Sequence, residues 1–466
     1  MTDFTLSTLD RGAPRAYIRY ALTFSCNSDQ ATAAVERLQK ATKRLVSEIP
    51  MLAGVVATSA QANPIVTVTL QQVNAFEATI ADLQNEHQNY AAIRWQGIAP
   101  KRISDIISTS LASDLVGDAN PCCIIQAMLI GGGLILVINL HHAVADIRGV
   151  ATIMRLMSES LPARALSEEI LGSEAVATSQ ARARLSSGSG APAFLASARD
   201  VQQRQELSRQ QYGLHSNSNT PTENASDPGP DASSNRVAIL RFRLNVIVQI
   251  TDMINTRRSL KNINPSDKIT PREVLIAILW QAYVRARWSS GTRHTARSSI
   301  SFPVDIRCHM VPELEPYWLG NAEVTTMATE DTTRLGMSYD ISSIERTATV
   351  IHAAANSVSS DILTRSRIEM INESTSTPIP PETQLIVHDW APVPVMLEHG
   401  MDLGMGLGRP DAIRMTGRTF GVNEVVLLPE DRHAQVWEVQ IELRSDWMSG
   451  VMRDETLRRF WWNTVQ

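Results

Sequence analysis

Twenty residues, PCCIIQAMLIGGGLILVINL at 121–140, are apolar enough to resemble a membrane span. Gln126, Asn139 and the central Gly131, Gly132 and Gly133 point elsewhere. Three glycines in mid-segment break a spanning helix but suit a turn between two short strands. The stretch is therefore predicted as a buried β-hairpin with no membrane role. It runs directly into HHAVADIRG at 141–149, where Val150, Ile153, Met154 and Met157 have the spacing of a helix burying one side.

The rest of the chain reads as a series of strands and helices. AYIRYALTFS at 16–25 reads as a strand, and a helix follows over about 30–48 with Asp29 as its expected cap and Pro50 as its stop. Composition changes near residue 185: from Leu185 to Ser234 the chain is rich in Ser, Gly, Asn, Gln and Pro. That is the composition of a flexible crossover. It divides the 466 residues into 1–184, a linker at 185–234, and 235–466, a length that suits two domains. The second part opens on the strand RVAILRFRL and continues to TPREVLIAILWQAYVRAR at 270–287, where Thr270 and Glu273 form a capping box and Pro271 takes the first helical position. Strands are expected at 300–307, from 324, and at 435–443, with a final helix over roughly 445–460.

His142 leaves the apolar strand, with Asp146 four residues on and then Gly149. A histidine at a strand end can face a cleft, and its ordinary pKa of about 6.5 suits proton abstraction near neutrality. A bare His-x-x-x-Asp is short, and by itself is more readily read as a pair that merely caps a helix start. Arg307 closes the apolar strand PVDIR, where a buried guanidinium needs a carboxylate; Asp146 is the expected partner. DLGMG at 402–406, with Asp402, Gly404 and Gly406, suggests a tight structural loop. A dinucleotide loop would need a βαβ setting, whereas Arg409 and Pro410 follow here. His388 and His399 flank Trp390. There is no G-x-S-x-G elbow and no H-E-x-x-H, and Cys26, Cys122, Cys123 and Cys308 fit neither a disulfide framework nor a zinc site. No metal is expected. A net charge of -5 offers no basic field for nucleic acid or an anionic membrane, and the N-terminal residues lack a signal-peptide core. A cytoplasmic monomer is expected.

Five segments in order resemble the plant and fungal acyl-CoA-dependent acyltransferases of the BAHD superfamily, most closely the fungal branch of the trichothecene O-acetyltransferases. They are LSTLDRGAPRAYIRY at 6–20, EIPMLAG at 48–54, HHAVADIRG at 141–149, VDIRCHMVPELEPYWLGNA at 304–322 and DLGMGLGRPDAIR at 402–414. The sequence departs from that family in three places. Ile147 stands where a glycine usually follows the motif aspartate, Leu403 and Met405 replace Phe and Trp, and His388-Asp389-Trp390 replaces Thr-Ser-Trp, so that His388 takes the place of a hydroxyl.

The resemblance implies a chloramphenicol acetyltransferase-like fold: two similar α/β domains, mixed sheets flanked by helices, and a channel between them. It implies that His142 is the general base in a ternary complex, that acyl-CoA is a co-substrate in place of a cofactor, and that the partner is a small alcohol or amine. Asp146, Gly149, Arg307, Asp402, Gly404 and Gly406 would be structural; Thr270, His388 and Trp390 are the candidates for the channel or for CoA. Two other readings share this pattern: a condensation-type domain with a carrier-bound donor, and a silent or cyclase relative that uses the same channel.

Overall fold

The computed structural model describes residues 3–58, 66–69, 78–85, 89–108, 120–158, 235–261, 267–289, 296–311, 313–314, 318–336, 340–358, 384–390, 403–416 and 423–465. The crossover expected at 185–234 lies outside them, as do Asp402 and His399.

Strands β1 (Asp3–Thr5), β2 (Tyr17–Ser25), β3 (Val55–Thr58), β4 (Val66–Thr69), β5 (Thr79–Asp82), β6 (Asn120–Pro121), β7 (Cys123–Ile130) and β8 (Gly133–His141) precede the crossover. So do helices α1 (Thr8–Gly12), α2 (Ser28–Glu48), α3 (Tyr90–Trp95), α4 (Pro100–Ser108) and α5 (Ile147–Ser158). After the crossover come β9 (Asn235–Arg243), α6 (Leu244–Leu260), α7 (Pro271–Ser289), β10 (Arg297–Asp305), β11 (Glu323–Asp331), α8 (Thr332–Gly336) and α9 (Ile341–Asn356). They are followed by β12 (Leu385–Asp389), β13 (Ala412–Met415), β14 (Glu424–Asp431), β15 (Val436–Arg444), α10 (Ser445–Arg453) and β16 (Trp461–Val465).

The apolar stretch of 121–140 is the hairpin β7–β8, paired from Cys123–Leu140 to Ile130–Gly133 around Gly131 and Gly132. Gly132 has φ +83°, a left-handed backbone that glycine adopts without penalty. Both faces of β8 are buried, which is why its residues do not alternate in polarity. Leu134, Leu136, Ile138 and Leu140 pack into one core cluster; Ile135 and Val137 face α3 and α4.

This hairpin lies inside a five-stranded mixed sheet, β13-β2-β8-β7-β5. Its edge strand β13 comes from the late part of the chain and pairs antiparallel with β2. The second sheet has seven strands, β11-β10-β12-β14-β15-β9-β16, with β12 parallel to both β10 and β14. Helices α6, α7, α9 and α10 bury its outer face in one large core that includes Trp280, Phe302 and Trp437. A small antiparallel sheet, β1-β4-β3-β6, is the third sheet among the described residues.

Three sequence expectations are corrected. The cap of α2 is Asn27, which accepts from the Gln30 N–H while Gln30 reaches back to the Asn27 N–H; this reciprocal box sets the helix start two residues before Asp29, which falls within the first turn. The strand expected at 300–307 ends at Asp305, and Arg307 opens a 3-10 turn over Arg307–His309. The last helix stops at Arg453, because Asp454 turns the chain by accepting from the N–H groups of Thr456 and Leu457. The chain then returns as β16 along β9.

Candidate active site

Strand β8 ends at His141, and His142 extends the ladder by donating its N–H to the Ala16 carbonyl at 2.8 Å. Alternation along the strand puts His142 on the side of Ile138 and Leu140. On that side the first sheet meets the second. Asn321, just ahead of β11, reaches His142: their Nδ1 and Oδ1 lie 3.1 Å apart.

The surrounding hydrogen bonds fix the direction of this contact. The Asn321 amide nitrogen donates to Asp10 Oδ1 at 2.9 Å and to the His142 carbonyl at 2.7 Å, which occupies both of its hydrogens. Its Oδ1 is then the acceptor, so His142 carries its proton on Nδ1, and Nε2 is the lone-pair nitrogen. Asp10 is fully buried and is itself fixed: Oδ2 accepts from the Ser7 N–H and hydroxyl at 3.0 and 2.8 Å, and Oδ1 also accepts from the Asn321 N–H at 2.8 Å. A carboxylate, an amide and an imidazole thus form one line, from α1 through the start of β11 to the end of β8.

Burial pushes the His142 pKa below its ordinary value, and the hydrogen bond to Asn321 with the charges of Asp146 and Asp10 offset part of that. His142 is therefore neutral near pH 7, with its Nε2 able to take a proton. Asp146 does not touch the ring. Its carboxylate accepts from the N–H groups of Arg148, Gly149 and Ala322 and from Arg307 Nη2 at 2.9 and 3.0 Å. Arg307 also donates to Asp305 and to the carbonyls of Trp318 and Gly320. Burial alone would lower the Arg307 pKa; Asp146 and Asp305 outweigh it and keep the guanidinium charged. The pair pins the loop after β8 to the segment that carries Asn321. Gly149 explains itself sterically, since a Cβ there would collide with the Leu319 carbonyl oxygen two residues from Asn321.

The other sequence candidates lie apart from this line or beside it. Thr270 is exposed and caps α7 through Glu273. Gly404 and Gly406 sit in a loop with φ of +74° and +75°, where Arg37 donates to the Met405 carbonyl, and a Cβ on Gly406 would strike that guanidinium. Trp390 stacks edge-on against Tyr20 at 6.0 Å and is buried in the first sheet's core. His388, two residues earlier, has a pKa lowered to about 4 by burial and by the nearby His142. Sequence reasoning missed Asn321 and Asp10 as site residues, although both stand inside quoted segments, LSTLDRG and WLGNA.

A model of the Transferase family matches residues 1–457. The O-acetyltransferase ptmV of Penicillium ochrochloron is 21% identical over 98% of this chain and 96% of its own length. Among solved structures, TRI101 of F. sporotrichioides, complexed with coenzyme A and T-2, superposes with a TM-score of 0.77 at 18% identity over 100% of both chains. Vinorine synthase superposes with a TM-score of 0.56 at 16% identity, over 97% of this chain and 92% of that one. These likenesses establish the two-domain acyltransferase fold, and the family match across nearly the whole sequence establishes that the chain belongs to the Transferase family of BAHD-type acyltransferases.

Proposed function

We propose that this chain transfers an acyl group, acetyl in the first instance, from acyl-CoA to a hydroxyl of a small secondary metabolite, with His142 as general base. The carrying observation is the Asp10–Asn321–His142 line, which leaves Nε2 as the basic nitrogen at the meeting of the two sheets. In this reading donor and acceptor bind together. His142 Nε2 takes the hydroxyl proton as the oxygen attacks the thioester carbon. The C–S bond then breaks, and the proton passes to the departing CoA sulfur. Asn321 holds the ring in its tautomer, and Asp10 holds Asn321. The choice of acetyl and of an oxygen acceptor is supported by the names of the relatives, among them an eremophilane O-acetyltransferase of Penicillium rubens that matches 33% of this chain.

The test is thiol release from acetyl-CoA by the purified protein against a panel of sesquiterpenoid alcohols and amines, with the acylated product identified by mass. Release that depends on an alcohol is expected. Acylation only of amines, or only from a carrier-bound donor, would overturn the reading.

A further inference from the structure

The base accounts for the proton, but acyl transfer also places negative charge on the thioester carbonyl oxygen, and the Asp10–Asn321–His142 line offers that oxygen nothing. The second sheet supplies a group on the correct side. In β12, Leu385 and Val387 belong to the large core under the helices. Alternation turns Ile386, His388 and the following Trp390 to the opposite face. That face meets the first sheet, because Trp390 packs edge-on against Tyr20, and Tyr20 is paired with Ile138 on the side from which His142 extends. The His388 ring lies between the two sheets with Nε2 3.9 Å from Glu424 Oε2 on the neighbouring strand.

We propose that His388 donates a hydrogen bond to the carbonyl oxygen of the acyl thioester and so stabilises the charge that develops there. This rests on the acyl-transfer reading above. The acceptor oxygen bonds to the carbonyl carbon and its proton moves to His142 Nε2. The carbonyl electron pair shifts to oxygen, where the His388 N–H meets it. When the C=O bond re-forms, the C–S bond breaks and the sulfur takes the proton from His142. His388 gives up no proton at any step.

The charge state of the ring suits this role. Burial, and then the proximity of His142, lower the His388 pKa to about 4, so the ring is uncharged at working pH. A neutral imidazole with a depressed pKa can polarise a carbonyl without surrendering its proton. A charged one would repel the imidazolium that forms on His142 and weaken the base.

The experiment uses acetyl-CoA carrying 13C at the carbonyl, bound to the full chain without any acceptor. In the wild type the carbonyl resonance should move downfield from its position in free acetyl-CoA. His388→Phe should return it toward the free position, and His388→Gln, which keeps a donor, should retain part of the shift. With an acceptor present, His388→Phe should lose ~10²-fold or more in kcat with the KM for acetyl-CoA changed less than about threefold, and His388→Gln should recover at least a tenth of the wild-type rate. Should His388→Phe not fold, His388→Leu carries the same comparison. An identical carbonyl resonance in wild type and the apolar variant, or an apolar variant with kcat within about threefold of wild type, overturns the proposal. Failure of the wild type to bind acetyl-CoA would instead overturn the acyl-CoA reading itself.

Discussion

At the scale of single residues the site depends on partners that cannot be removed one at a time. Asp146 is fully buried and Arg307 nearly so. Asp146→Ala or Arg307→Ala strands the other charge, at about 3–5 kcal/mol, and the double variant should cost much less than the sum. Chemical denaturation of the four proteins checks this; simple additivity would show that the pair does not act as a unit. Asn321→Ala should keep most of its stability yet lose between about 10² and 10⁴ in kcat, because the imidazole is then free to adopt the wrong tautomer. Steady-state kinetics with a parallel melting curve separates the two effects.

The histidines also predict a pH dependence. As the proposed base His142 would have to be neutral, and burial lowers its pKa, so kcat/KM should be level through neutrality and fall only below about 6.5. His141 and His388, both lowered to about 4, first by burial, also tie stability to pH. The unfolded chain binds protons at an ordinary pKa of about 6.5, so their stabilising contribution is complete above that pH and is lost as pH falls toward 4. His141 Nδ1 accepts from the Ala143 N–H at 3.1 Å, a role the Asn oxygen can copy. His141→Asn should therefore melt with a shallower pH dependence between 6.5 and 4 than the wild type. Equal slopes in calorimetry would contradict this.

At the scale of elements, local rules carried much of the structure. Three glycines in an apolar stretch gave a hairpin, and Thr270 with Glu273 gave the start of α7. The contact of Asp146 with Arg307 was accessible because a charge that closes an apolar strand requires an opposite charge. What local rules do not carry is register between distant segments. Asp10 and Asn321 meet across 311 positions, and neither has a pattern that marks it; a buried aspartate in the first turn of a helix reads as the far half of a capping box, which Asp10 also is, with Ser7 as the cap. The edge strand β16 was hidden for a similar reason, since WWNTV alternates poorly and two of its five residues are exposed. Gly149→Ala tests the element scale directly. The new methyl would press on the Leu319 carbonyl, pushing α5 away from the segment that carries Asn321. Overpacking of this kind costs about 1–3 kcal/mol, and activity should fall further than stability alone explains. A variant with wild-type melting and wild-type turnover would show that this contact yields freely.

At the scale of the whole molecule, the site exists because the two large sheets are tied together. Strand β13 completes the first sheet, yet its Arg414 reaches Glu438 of β15 at 2.7 Å and the carbonyls of Gly97 and Ile98. Gln440 of β15 also bonds both backbone groups of Met415, as a neighbouring strand would. Asp146–Arg307 and Arg148–Asp305 also join the loop after β8 and the start of α5 to the second sheet. His142 comes from one sheet and Asn321 from the segment leading into the other, so any relative shift opens the hydrogen bond that sets the tautomer. The account stands most directly on the turnover of His142→Ala, measured as thiol release from acetyl-CoA with an accepted alcohol. The predicted result is a folded protein with an unchanged melting temperature and a rate reduced by about 10²–10⁴. A rate within about threefold of wild type, from a protein equally well folded, would contradict it.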